Sequence, residues 1–151
     1  MPAPDDRPAV RSATVHDAPE LARLLTMLGH PTDVAQIVAH WDEWSARGDA
    51  AIVADAGDGT LAGVATLHRM RVLHRPRPVG RITALVVDER VRGRGIGGTL
   101  VAAAERTLAG AGCGLLEITS NVRRTDAHAF YERLGYQRTS FRFMKVLASD
   151  E

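Results

Sequence analysis

The apolar positions of this chain change period several times along its length, and each change marks an element. After a polar, proline-rich opening, read as a loose tail over 1–8, Val10 to Thr14 reads as a short strand. Leu21, Leu24, Leu25 and Leu28 then recur at helical spacing. Thr14 or Asp17 is placed to cap that helix, with Pro19 and Glu20 in its first turn and Gly29 as its stop. A second helical stripe, Val34, Ile37, Val38, Trp41 and Trp44, follows Thr32 or Asp33 as cap, is expected to be buried, and ends at Gly48. Ala51 to Ala54 and Leu61 to Leu67 are strand-like runs across Gly57-Asp58-Gly59, which predicts a hairpin. Ile82 to Val87 is a further strand. It runs into the glycine-rich turn 93–98 and a helix over about 97–110, with Leu100, Val101, Ala104 and Leu108 inward. Leu115 to Ser120 reads as a strand. Ala127, Phe130, Tyr131 and Leu134 give a short helix over 125–134, and Arg138 to Leu147 is a last strand-like stretch.

The order is β-α-α-β-β-β-α-β-α-β. Helices lie between strands, yet three strands run together before the glycine turn. That order predicts an α/β (α+β) fold with a mixed sheet, in a single domain over 9–151. Composition narrows the class. At 151 residues with 45% apolar and 25% charged content, the chain has the profile of one soluble globular domain. No apolar run approaches membrane-spanning length, so no membrane partner is expected. The opening lacks the basic-then-apolar pattern of a secretory leader, so a cytoplasmic protein is the expectation. Cys113 is a lone cysteine and no Cys/His spacing suits zinc, so no metal site is expected. A formal charge of +1 supplies no drive toward nucleic acid.

The main chemical signal is Val86-Val87-Asp88-Glu89-Arg90-Val91-Arg92-Gly93-Arg94-Gly95-Ile96-Gly97-Gly98-Thr99. A strand enters alternate glycines that open a helix. Glycines let backbone N–H groups converge and let a ligand approach closely. The helix adds its positive end, which makes an anion site suited to a pyrophosphate. Arg92 and Arg94 add charge beside it. A Walker A loop fails, because Gly98 is followed by Thr99 with no lysine. The dinucleotide fingerprint matches as Gly93, Gly95 and Gly98, with Glu117 near the ribose-binding position. Too few strand–helix units follow, however, to build a dinucleotide fold.

Arg92-Gly93-Arg94-Gly95-Ile96-Gly97 resembles the acyl-CoA pyrophosphate motif of the GNAT superfamily of N-acetyltransferases, Q/R-x-x-G-x-G/A. Leu85-Val86-Val87 resembles that family's splayed fourth strand. Glu117-Ile118-Thr119-Ser120 and Ala127-His128-Ala129-Phe130-Tyr131-Glu132-Arg133-Leu134-Gly135-Tyr136 resemble its fifth strand and fourth helix. The resemblance covers about 9–147. It implies a mostly antiparallel mixed sheet of about six or seven strands with about four helices.

The activity it implies is acetyl transfer from acetyl-CoA, as co-substrate, to a primary amine of a small molecule or peptide, by direct attack in a ternary complex. The residues expected to hold acetyl-CoA are Leu85, Val86, Val87, Arg92, Gly93, Arg94, Gly95, Ile96, Gly97, Gly98, Thr99 and Asn121. The backbone N–H of Val87 is expected to meet the developing oxyanion. Tyr131 falls where the family has its general acid. A lysine-like amine is protonated at neutral pH and must lose a proton. Many relatives carry an acid on the fourth strand for this; here those positions are Thr83 and Ala84. Glu117, His68 and His74 are the remaining base candidates. Many relatives also have an Asn seven residues before the tyrosine, where this chain has Arg124. The resemblance further implies that the first two helices, about 17–47, and the loop near 138–142 shape the acceptor pocket. Relatives are often dimers, so a homodimer is carried as an expectation. A non-catalytic acyl-CoA-binding regulatory module is the alternative reading.

Overall fold

The computed structural model describes residues 7–149. The opening positions 1–6 of the expected tail lie outside the described residues. The chain divides into two compact units, Met1–Ile118 and Thr119–Glu151.

The first unit contains one sheet of five strands in the order β1-β2-β3-β4-β5: β1 Ala9–Ser12, β2 Asp49–Asp55, β3 Leu61–Met70, β4 Val79–Val87 and β5 Leu115–Ile118. The first four pair antiparallel and β5 pairs parallel to β4. Three helices flank it: α1 Ala18–Met27, α2 Val34–Ala46 and α3 Ile96–Gly110. The expected caps hold in part. Asp33 caps α2 by accepting from the Ala35 N–H at 2.7 Å, whereas α1 is entered through a 3₁₀ turn, Val15–Asp17, that starts behind Thr14. Gly29 takes a φ of 109° just beyond α1.

On one face of the sheet, Leu21 and Leu24 of α1 pack with Ala51, Val53, Val64 and Val86. On the other face, α3 buries Leu100, Val101, Ala104 and Leu108, the four residues its spacing predicted. Each fully buried Leu or Val contributes about 1.5–3 kcal/mol of transfer free energy. Gly63 permits the close seat of α3 on β3, since a Cβ there would lie 2.9 Å from both Leu100 Cδ1 and the Val86 carbonyl oxygen.

The second unit contains α4, Thr125–Arg133, with Tyr131 at ring-contact distances from Phe130 (5.3 Å) and Tyr136 (6.2 Å).

Two expectations are corrected. The described sheet has five strands rather than six or seven, because residues 138–147 form no strand. Their apolar residues alternate as in a strand, but a strand needs a ladder for its backbone groups, and none is formed there. Phe141, Phe143 and Leu147 are accordingly exposed. The apolar stripe of α2 is not buried either. No α2 residue is buried, Val34 and Val38 are exposed, and Ile37, Trp41 and Trp44 are half-buried. Ile37, Trp41 and Trp44 pack against the edge of the core cluster and also border a cavity.

Candidate active site

The site begins where β4 outruns its parallel neighbour. β5 pairs with β4 only from Val79↔Leu115 to Ile82↔Ile118, so among the described strands β4 has no partner on that side from Thr83 to Val87. Backbone polarity along this stretch follows from one hydrogen bond. Asp88 N–H donates to the Ala62 carbonyl of β3 at 2.8 Å. Antiparallel pairs alternate, so Val86 also faces β3, while the N–H and C=O of Leu85 and Val87 point to the open side. Arg92 Nε donates to the Val87 carbonyl at 3.2 Å, in keeping with that direction. A strand-like ligand arm therefore finds a free edge at the two residues the motif singled out.

The chain then turns into α3. Asp88 is 2% exposed, although it is charged. Arg23 Nη1 and Arg90 Nη2 donate to its Oδ2 at 2.8 and 2.7 Å, and Arg90 N–H donates to its Oδ1 at 3.0 Å. These donors hold its carboxyl far below the usual carboxylate range, with the Arg90 side chain as the largest cause and burial opposing it. Arg23 also binds Glu20 through two N–H groups and the Leu61 carbonyl at 3.0 Å, while Glu20 accepts from Leu61 N–H at 2.8 Å. The network ties α1 and the start of β3 to the root of the glycine loop.

Past Asp88, a 3₁₀ turn over Glu89–Val91 leads to Gly93 and Gly95, with φ of 81° and 80°. Both lie in the left-handed region that disfavours side chains. Gly95 is the N-cap of α3, and no side chain caps this 15-residue helix. An added Cβ at Gly93, Gly95 or Gly98 would meet nothing within 4 Å. The loop is thus an open cradle at an uncapped helix N-terminus with exposed Arg92 and Arg94 beside it, a charge and donor set that suits a pyrophosphate. Ile96 is buried and anchors the helix start. Gly97, Gly98 and Thr99 are half-exposed, and Thr99 Oγ donates back to the Gly95 carbonyl at 3.0 Å.

Two of the three base candidates, His68 and Glu117, lie on one row across four strands, Asp49↔His68↔Arg81↔Glu117, whereas His74 lies in an exposed turn after β3. His68 Nδ1 is 2.6 Å from Asp49 Oδ1. Two N–H groups of Arg81 donate to Glu117 Oε1, the Nε at 2.8 Å. Next to that row, Thr66 and Thr83 join hydroxyls at 2.7 Å, where a β-bulge in β4 shifts the register. Both threonines line the cavity of about 260 Å³ that α2 borders.

In the second unit, burial raises the Tyr131 phenol above its ordinary value of 10, and Arg124 partly offsets it. Asn121 Oδ1 accepts from Arg123 N–H at 2.9 Å, and its carbonyl meets His128 Nε2 at 2.8 Å. His128 is therefore engaged by backbone.

Sequence reasoning missed Asp88, Arg23, Glu20 and Asp49. Asp88 had a readable signal, an acid at a strand end before a helical turn, and Glu20 and Arg23 are spaced as an i,i+3 pair. Asp49 had none, since only the β2–β3 register brings it to His68.

The free strand edge thus runs directly into the glycine cradle on an α/β fold. The chain belongs to the acetyltransferase (GNAT) family, whose model matches residues 18–136. It is 42% identical to an aminoalkylphosphonate N-acetyltransferase of Salmonella typhimurium over 90 residues, 60% of this chain and 58% of that protein. The match thus spans little more than half the length of that relative. It is 30% identical to an aminoglycoside N(6')-acetyltransferase type 1 of Stenotrophomonas maltophilia over 87% of this chain and 88% of that one. The fold is similar to the crystal structure of a Trypanosoma brucei acetyltransferase, with a TM-score of 0.82 at 24% identity, covering 92% of this chain and 99% of that chain. Among the described residues, no helix is long and apolar enough to cross a membrane.

Proposed function

We propose that this protein transfers an acetyl group from acetyl-CoA to a primary amine by direct attack in a ternary complex. The observation that carries the reading is the continuity of the open β4 edge with a left-handed glycine loop at the uncapped start of α3. The relatives named as N-acetyltransferases support the same reaction class.

In this reading the N–H groups of 93–98, with Arg92 and Arg94, hold the pyrophosphate. Thr99 sits in the first turn of α3 behind them, and Ile96 keeps the turn in place. Leu85 and Val87 pair with the pantetheine arm, and Val86 anchors that stretch to the core. Bound acetyl-CoA supplies the activated acetyl group. The Val87 N–H donates to the acetyl oxygen as negative charge builds there. By the resemblance, Tyr131 is the general acid for the departing sulfur; its phenol is protonated at neutral pH, and burial raises it above its ordinary value of 10. Asn121 has its Oδ1 in a local turn, so its amide nitrogen is the group left for the pantetheine.

For the amine's proton, the geometry favours His68 over Glu117. Asp49 accepts from the His68 Nδ1–H, so in the neutral ring Nε2 is the acceptor. Glu117 Oε1 is already held by Arg81, a positioning arrangement.

A thiol-release assay with acetyl-CoA and an amine library tests the reading. Amine-dependent release of CoA is expected. Saturable acetyl-CoA binding with no turnover on any amine would leave the non-catalytic acyl-CoA module in its place.

A further inference from the structure

The cavity beside the bulge of β4 carries a statement about the acceptor that rests on the transferase reading. It is an open groove bordered by α1, α2 and the sheet, within the first unit. Leu21, Leu25, Ile37, Trp41, Trp44 and Ala51 supply its apolar wall. Its polar members are Thr32, Gln36, His40, Thr66 and Thr83. Among the described residues lining it there is no Asp, Glu, Lys or Arg, and His40 is the one titratable side chain. The exposed Thr66–Thr83 hydroxyl pair is part of its lining. Thr83 lies two residues before Leu85 on the same strand, so that pair is within about 7 Å of the free backbone edge.

The apolar wall packs against the core cluster on one side and is only partly covered on the other. Trp41 and Trp44 lie 5.1 Å apart at 51° and stand half-buried, on a helix with no buried residue at all. A helix that leaves two tryptophans and an isoleucine partly wet gains by having something cover them. The volume of about 260 Å³ lies just below the usual range for ligand sites, which suits a small ligand.

We infer that this pocket takes a monoamine carried on an aromatic or branched apolar body, and that Trp41, Trp44 and Ile37 are the residues that select it. A polyamine or aminoglycoside must bury several ammonium groups, and this wall offers none of them a carboxylate. An alkylphosphonate acceptor needs a cationic partner, and the lining has no Lys or Arg. For a monoamine the same apolar wall is an advantage. Removal from water disfavours the charged form, so the amine enters the attacking state more readily. That accounts chemically for Thr83 and Ala84 standing where relatives carry an acid.

Trp41 and Trp44 are the chain's two tryptophans, so intrinsic fluorescence reports on this pocket without turnover. The experiment titrates the full chain with 2-phenylethylamine, spermidine, kanamycin and 2-aminoethylphosphonate, and follows fluorescence and acetyl-CoA-dependent thiol release in parallel. The expected result is a saturable fluorescence change with 2-phenylethylamine at concentrations about tenfold or more below those of the other three, with kcat/KM in the same order. Ile37→Glu should weaken 2-phenylethylamine by about tenfold and narrow its lead over spermidine, with acetyl-CoA affinity unchanged. Tighter binding or faster turnover of spermidine, kanamycin or 2-aminoethylphosphonate would overturn the inference, as would no fluorescence response to 2-phenylethylamine. Tight 2-phenylethylamine binding with no thiol release would uphold the pocket assignment and remove the transferase reading instead.

Discussion

Asp88 shows how a single side chain sets up the cradle. It is a buried charge satisfied by two guanidiniums and a backbone N–H, immediately before the loop that turns into α3. Removing one partner of a buried pair leaves the other charge uncompensated. Asp88→Ala should therefore lower unfolding free energy by about 3 kcal/mol, read by urea denaturation at neutral pH. The pH dependence has a definite sign. The folded carboxyl lies below its ordinary value of 3.8, so its stabilisation is full above that value. It is lost as pH falls below it, when the unfolded state binds the proton more readily. Stability should drop on acidification below about pH 4, and Asp88→Asn should flatten that part of the profile. An unchanged acid limb in the variant would remove Asp88 from the account.

Tyr131 is tested at the same scale. Tyr131→Phe should cut kcat by about a hundredfold, the lower bound for a lost general acid, with the acetyl-CoA Kd unchanged by titration. An unchanged kcat would take Tyr131 out of the mechanism. Asp49→Asn keeps the shape of its residue but weakens its hold on the His68 Nδ1–H. A fall in kcat with unchanged acetyl-CoA affinity is expected, and an unaltered rate would leave His68 without a part in proton removal.

At the scale of elements, the proposed functional unit is strand, loop and helix together. β4 supplies a free edge because β5 stops at Ile118, and the loop supplies converging N–H groups because Gly93 and Gly95 hold positive φ. Gly95→Ala should cost about 1 kcal/mol of stability from backbone strain alone. Gly95→Glu should in addition abolish acetyl-CoA binding, because a carboxylate would stand in the phosphate cradle. Acetyl-CoA binding retained by Gly95→Glu would mean that the loop is not the site.

This strand–loop–helix unit was legible in the sequence because its information is local: three alternate glycines, flanking arginines and a helical stripe lie within a few residues of one another. α2 was legible as a helix but not as a cavity wall. Its spacing reports an apolar face and is silent on whether a core or a ligand covers it. Residues 138–147 read as a strand because alternation is necessary for one, but the partner ladder is non-local. The Asp49–His68 contact, created by pairing of β2 with β3, was invisible for the same reason.

For the whole molecule, the sheet separates two tasks within its first unit. On one face α1 and α2 frame a cavity with no carboxylate among its described lining residues; on the other α3 is seated through Gly63, with its N-terminus uncapped by any side chain. β4 lies between them and contributes to both, through Thr83 to the cavity and through Leu85 and Val87 to the ligand edge. The most direct test of this account is isothermal titration of the purified chain with acetyl-CoA, with NAD as the control. The account predicts saturable binding of one acetyl-CoA per chain in the micromolar range and no heat from NAD. No acetyl-CoA binding, or binding of NAD in its place, would contradict it.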